Sequence, residues 1–289
     1  MRGSRSGPVE GASRRVVLRG LVVSGAALGL AACSGRETSA EAGSPAPSGG
    51  AAPSVAPEPT TTGPDAADEP SAASTGAEVG ATVVATSVVD ELRVHEAPAD
   101  PDDRDDPVGE QVTRVLDRRD EVSGQVVLLA LEVGRAWVHV QLPVRPNGST
   151  GWVRARDVGL SSHSFAIEIL LGEHRIVVTE AGREVLGSDI GVGTTDTPTP
   201  GGDYYVKELL APPDPDGVYG PYAYGLSGFS TVLTEFNGGE GVIGIHGTDR
   251  PDLVGTDVSS GCIRLPNDVI TRLVEEVGLP LGTPVTIRA

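Results

Sequence analysis

The sequence predicts a mainly β protein, a small barrel of short strands followed by a second β domain that ends with one helix. Three observations carry the prediction. Glycine and proline are abundant, at 39 and 23 residues, while aromatics make up 3% of the chain. Val- and Thr-rich runs alternate with polar turns, and helical periodicity is sustained only near the C-terminus. Residues 1–80 join neither domain, so the globular part is shorter than the 289-residue chain.

Residues 1–33 read as an address. Ser13-Arg14-Arg15-Val16-Val17-Leu18-Arg19 is a twin-arginine start, and the apolar stretch 20–32 behind it is too short to span a bilayer. Leu30-Ala31-Ala32-Cys33 resembles the bacterial lipobox. That resemblance implies a diacylglyceryl thioether on Cys33, the new N-terminus after cleavage, and two acyl chains give stable rather than transient anchoring. The protein is then expected in the cell-wall space, lipid-anchored to the outer face of the cytoplasmic membrane. The alternative is an ordinary cleaved signal with a chance cysteine. Residues 34–80 are Ala, Pro, Ser, Thr, Gly and acidic side chains, with too little apolar surface to offset ordering entropy, and are expected to form an extended tether.

The formal net charge is −18, and because Arg2, Arg5, Arg14, Arg15 and Arg19 lie in the address segment, the rest is more acidic still. Such acidity repels phosphate backbones and anionic headgroups. It argues against a nucleic-acid partner and against membrane attachment through a basic surface.

In residues 81–160, runs at 83–86, 91–94, 126–130, 137–142 and 151–154 are predicted strands of a small barrel. The last two are joined through Pro146-Asn147-Gly148-Ser149, a hairpin with an Asn-Gly turn. With its Gly151-Trp152-Val153, the region resembles a bacterial SH3-like domain, which implies wall binding or positioning of an enzyme. His139 lies mid-strand among apolar residues and reads as structural. The acidic stretch 100–106 lacks the ligand spacing of a calcium loop and reads as solvated.

Residues 164–289 renew the strand pattern at 165–171, 174–178, 185–186, 190–193, 204–206, 231–236 and 242–245, the last ending at His246-Gly247. A helix follows Ser259-Ser260-Gly261-Cys262-Ile263-Arg264-Leu265. Asn267 is its expected N-cap, Val269, Ile270, Leu273, Val274 and Val277 its apolar face, and Gly278 its stop. Cys262 would then approach the positive end of that helix, where a thiolate is favoured. Gly261 permits a sharp turn, which makes the amides of Ser260, Gly261 and Cys262 the oxyanion-hole candidates. Cys33 and Cys262, the two cysteines, lie in unlike surroundings, so no mutual disulfide is expected.

His246-Gly247 followed by Ser-x-Gly-Cys-Ile-Arg is similar to the signature of the L,D-transpeptidase catalytic domain, often called the YkuD domain. Thr197-Pro198-Thr199-Pro200-Gly201 and the stretch 219–230 resemble the form found beside SH3-like domains in actinobacteria. The resemblance implies a β-sandwich with Cys262 as nucleophile, His246 as base, and the Gly247 backbone carbonyl orienting the imidazole. Arg264 would support the turn or the substrate, and Ser259 the substrate. Many relatives carry a second histidine just before the glycine. Ser260 stands there in this chain, which leaves His246 the only motif histidine.

The implied substrate is a peptidoglycan tetrapeptide stem, cut between its third-position diamino acid and the terminal D-alanine. A neighbouring stem's amine would resolve the thioester into a 3→3 cross-link, and water in its place would make the site a carboxypeptidase. Carbapenem-type inhibitors are expected to acylate Cys262. A non-catalytic envelope lipoprotein that binds peptidoglycan is the alternative from another class. The stretch 211–230, with Tyr219, Tyr222, Tyr224 and Phe229, is expected to form a lid or substrate wall, unless some of these aromatics complete the core. His246, Asp249, Asp252 and Cys262 have no compact ligand spacing, so neither metal nor cofactor is expected. His95, His163 and His174 are expected at the surface.

Overall fold

A computed structural model describes residues 80–105, 111–121, 123–235 and 239–289. The address segment with Cys33, the tether up to residue 79, Asp106 and Phe236 lie outside the described residues. The described chain is mainly β, with one α-helix. Among the described residues no helix is long and apolar enough to cross a membrane.

The first sheet comprises β1 (Thr82–Ser87), β2 (Glu91–His95), β3 (Val112–Asp117), β4 (Val127–Val133), β5 (Trp137–Gln141), β6 (Thr150–Arg154) and β7 (Val158–His163), in the order β3-β2-β6-β5-β4-β1-β7. Leu92, Val94, Leu128, Val138, Val140 and Val153 share its core. The sequence did not announce β3 and β7, which end the sheet and are mostly exposed, with little apolar alternation. The hairpin of β5 and β6 is present. In its turn Ser149 N–H donates to Pro146 O at 3.2 Å, and Gly148 takes φ +82, the left-handed third position of a type II turn.

The histidines of this region correct one expectation. His139 does stack on Trp152, ring centroids 4.8 Å apart, as a structural residue. His95, however, is buried edge-on to Trp137 rather than exposed. His163 is half-buried and its Nδ1 accepts from the Phe165 amide, while His174 Nε2 meets Asp257 at 2.8 Å.

The second half of the chain contributes β8 (Phe165–Leu170), β9 (Arg175–Glu180), β10 (Arg183–Asp189), β11 (Val192–Gly193), β12 (Gly202–Leu210), β13 (Ala223–Phe229), β14 (Val242–His246), β15 (Asp257–Ser259), β16 (Ile263–Arg264), α1 (Asn267–Arg272) and β17 (Pro284–Arg288). Eight of these strands form a sheet in the order β10-β9-β8-β17-β12-β13-β14-β16, and β11 pairs with β15. Helix α1 runs on as a π-helical turn, Leu273–Val277, and Gly278 at φ 66 ends it. Ile270 and Leu273 share one core with Leu226, Ile243, Ile245, Ile263, Val285 and Ile287.

Strand β12 joins the two halves by its pleat. Successive side chains point to opposite faces, so Tyr204 enters the core of the second sheet and Tyr205 that of the first. Both rings are buried.

Two expectations about strands and loops are overturned together. The run 231–236 is no strand over its described part. Ser230 Oγ accepts from the amides of Val232 and Leu233 and turns the chain there, overriding the β-branched side chains. Instead Ala223–Phe229, read as part of a loop for its glycines, is a buried strand. A Cβ at Gly225 would lie 2.6 Å from Glu208 Oε1, and one at Gly228 would meet the Tyr204 ring, so larger neighbours fill the space the glycines leave. The expected lid therefore shrinks to 211–222. Tyr224 and Phe229 are core residues, and Tyr222 is tied by its hydroxyl to Glu275 at 2.7 Å.

Candidate active site

Strand β14 reads Val-Ile-Gly-Ile-His. Ile243 and Ile245 point into the core, so the pleat sends Gly244 and His246 to the opposite face. Strand β16 lies parallel to it, with Ile245 opposite Ile263 and His246 opposite Arg264. One step back along both chains brings Cys262 beside Gly244, whose backbone hydrogen-bonds the thiol. The thiol and the imidazole are thus diagonal neighbours on one face, and both line the same cavity of about 200 Å³ together with Tyr219 and Arg264. A second cavity, of about 510 Å³, also borders His246 and Cys262 and extends along Pro212 and Pro213.

His246 is held from several directions. Its carbonyl accepts from Leu265 N–H at 2.8 Å, and Gly247 N–H donates to Tyr222 O at 3.2 Å. The ring Nδ1 is 2.6 Å from the Gly247 carbonyl oxygen. A carbonyl can only accept, so Nδ1 carries the proton and Nε2 presents its lone pair. The Tyr219 ring packs against the imidazole at 5.0 Å in an edge arrangement. Burial drives the imidazole to about 4, with Arg264 adding to the effect and the Gly247 hydrogen bond opposing it. His246 is therefore neutral at pH 7.

This burial makes a prediction about stability. Unfolded, the imidazole titrates at its ordinary 6.5; folded, it titrates at about 4. Above 6.5 it is neutral in both states and contributes no pH dependence. As the pH falls from 6.5 toward 4, only the unfolded chain takes up the proton, so stability is lost progressively, about 3 kcal/mol in all. Thermal melts across this window should show a smaller loss in His246→Gln than in the parent. Equal losses would refute the assignment.

Cys262 corrects the helix-end expectation. Strand β16 stands between it and α1, which starts after Pro266 with no side-chain cap. Cys262 is half-buried as a residue, and burial among protein atoms pushes its thiol up, against smaller lowering effects from Gly244 and Arg264. The resting pair is a neutral thiol beside a neutral base, so nucleophilicity must come from proton transfer to Nε2.

The turn carrying Cys262 is braced from within. Ser259 Oγ donates to Cys262 O at 2.6 Å and accepts from Gly261 N–H at 3.1 Å. Gly261, at φ +116, adopts a conformation that favours glycine. Its amide is thus spent internally, which leaves Ser260 and Cys262 as the oxyanion-hole candidates, while Ser259 braces the turn with its hydroxyl and also lines the cavity. The Thr-Pro turn backs it from outside, since Thr197 Oγ1 donates to Ser259 O and Thr194 N–H donates to the same oxygen. Arg264 Nε is buried with no hydrogen-bond partner among the described residues.

Asn267 is the functional residue that sequence reasoning misassigned. Its Oδ1 accepts from Thr248 N–H at 2.7 Å, so it braces the turn after His246 instead of capping α1. Tyr219, expected in the lid, packs on the His246 imidazole instead, and Gly220 was missed as a site residue. Gly220, at φ +62, lies so close to Gly247 that a Cβ on it would come within 2.6 Å of the Gly247 Cα. Gly220, Gly247 and Asn267 meet only in the fold, so no local sequence signal announced Gly220.

The family model described as the L,D-transpeptidase catalytic domain, YkuD, matches residues 164–287. YkuD of Bacillus subtilis (strain 168), which bears a provisional L,D-transpeptidase name, is 32% identical over 123 residues, 43% of this chain and 65% of that protein. YqjB of the same organism, named in the same way, is 34% identical over 108 residues, 34% of this chain and 56% of that protein. The NMR structure of the catalytic domain from E. faecium L,D-transpeptidase is 25% identical, covers 44% of this chain and 98% of that one, and superposes with a TM-score of 0.31. The chain spans under two thirds of the length of the curated relatives it matches. Residues 164–287, with His246 and Cys262 among them, thus match the YkuD-type L,D-transpeptidase catalytic domain.

Proposed function

We propose that this chain is a peptidoglycan L,D-transpeptidase that forms 3→3 cross-links through a thioester on Cys262. The observation that carries the reading is the parallel pairing of β14 with β16, which gives the thiol and the free Nε2 of His246 a common face. The Cys262 proton passes to Nε2 as sulfur bonds to the donor carbonyl, and the amides of Ser260 and Cys262 receive the oxyanion. Collapse breaks the donor C–N bond, and D-alanine leaves with the proton from the imidazolium. An amine of a second stem then attacks the thioester, giving its proton to Nε2, and the thiol is regenerated. Arg264 lines the smaller cavity and supports the turn or an acceptor group of the peptide.

The two adjoining cavities that border the reacting pair are consistent with this reading in giving room for a donor and an acceptor. The first β domain is read as SH3-like, serving to position the enzyme on the wall. Lipidated Cys33 and the acidic tether would hold it at the membrane's outer face.

Mass spectrometry tests the reading directly. A carbapenem should add its mass to Cys262 of the parent and not to Cys262→Ala, and the parent should release D-alanine from a tetrapeptide and yield cross-linked muropeptides. D-alanine release without cross-links would establish the carboxypeptidase instead. A folded protein that does none of these is a wall-binding lipoprotein.

A further inference from the structure

The loop between β5 and β6 crosses from the first domain to the second. Arg145 Nη1 donates to Ser230 O at 2.8 Å, and its Nη2 donates to Leu233 O at 3.0 Å and to Glu240 O at 2.9 Å. Its guanidinium also lies over the Phe229 ring, 4.9 Å from the centroid. Two residues on, Asn147 Nδ2 donates to Phe229 O at 2.8 Å while Phe229 N–H donates to Asn147 Oδ1 at 2.9 Å. The amide side chain thereby makes the pair of bonds that a neighbouring strand would make.

These contacts bear on the site through the connection from β13 to β14. Ser230 and Leu233 stand on the arm leaving β13, and Glu240 stands on the arm entering β14. Ser230 N–H donates to Gly241 O at 2.8 Å and closes the base between the arms. Ser230, Leu233, Gly241 and Val242 line the smaller cavity, which Cys262 also borders. Gly244, which bonds the thiol, follows Val242 by two positions on the same strand. One planar guanidinium, charged at every relevant pH, therefore satisfies three carbonyls drawn from both arms of this connection.

We infer that Arg145 and Asn147, supplied by the first β domain, are positioning residues for the Cys262 cavity, tying together both arms of the wall against which the donor peptide binds. The inference rests on the acyl-transfer reading of that cavity. Cys262 and His246 are aligned by their own strand pairing, so releasing the wall should weaken donor binding more than it slows the chemical steps. It should also admit reagents to half-buried Cys262.

The test compares the full-length parent with Arg145→Met, Arg145→Lys and Asn147→Ala. For Arg145→Met, the donor KM in D-alanine release should rise about tenfold with kcat within about twofold of the parent. Iodoacetamide should alkylate its Cys262 about fivefold faster, through the loosened wall. Arg145→Lys keeps the charge but not the fork and should fall between the two. Asn147→Ala should move both readouts in the same direction, and it decides the matter if Arg145→Met does not fold. Folded variants whose KM and alkylation rate both stay within about twofold of the parent would overturn the inference, as would a drop in kcat at unchanged KM. If the parent itself releases no D-alanine, the acyl-transfer reading fails, and the alkylation rates alone judge the clamp.

Discussion

His246→Ala is expected to slow acylation of Cys262 by about 10²–10⁴-fold, the usual contribution of a positioned general base. The size follows from the resting state of the pair. Burial raises the Cys262 thiol above its ordinary range, so few molecules carry a thiolate unless Nε2 takes the proton. The pH profiles should separate the two proteins. In the parent, the base must be neutral, and with its titration near 4 the acylation rate should hold well into acid and then decline. In His246→Ala the rate should climb steadily with pH, because only spontaneous ionisation supplies the nucleophile. Stopped-flow acylation by a carbapenem measures both. A variant within tenfold of the parent, or one with a parallel profile, would remove His246 from the chemistry.

The elements of this site were unequally legible in the sequence. Cys262 and His246 could be found because each sits in a local pattern: a histidine at the end of an alternating strand, and a cysteine in a Gly/Ser turn. Their pairing could not be read, since β14 and β16 meet in parallel across the whole turn-rich stretch between them. Distance in sequence also explains Asn267. Just before an apolar helical pattern, an asparagine reads as a cap, but its acceptor was taken by Thr248, 19 residues upstream. Gly225 and Gly228 misled for the opposite reason. They looked like turn residues, whereas Glu208 and Tyr204 from the neighbouring strand occupy the space beside them. Tertiary packing decided each of these places, and no window of local sequence contains it.

The same packing makes Gly247→Ala the second large effect. A methyl group there would be driven into Asn267 Oδ1 and would come 2.9 Å from the Gly220 Cα and 3.1 Å from Pro221 Cδ. None of these three can yield freely. Asn267 is fixed by the Thr248 amide, Gly220 is backbone at φ +62, and Pro221 is a ring. Overpacking of this kind costs about 1–3 kcal/mol, and displacing Asn267 adds about 1–3 kcal/mol if the Thr248 amide is left buried and unpaired. Any relief must shift residue 247, whose carbonyl is the acceptor for His246 Nδ1–H. A shift of about 1 Å in a catalytic group can cost about 100-fold in rate, so acylation should fall by that order even where the variant remains folded. Asn267→Ala separates the two causes. It removes the obstacle along with the brace, so combined with Gly247→Ala it should recover stability relative to the sum of the single changes, without restoring the rate. Additive melting temperatures in that double-mutant cycle, or a folded Gly247→Ala protein acylated at the parental rate, would show that the turn after His246 does not set the orientation of its ring.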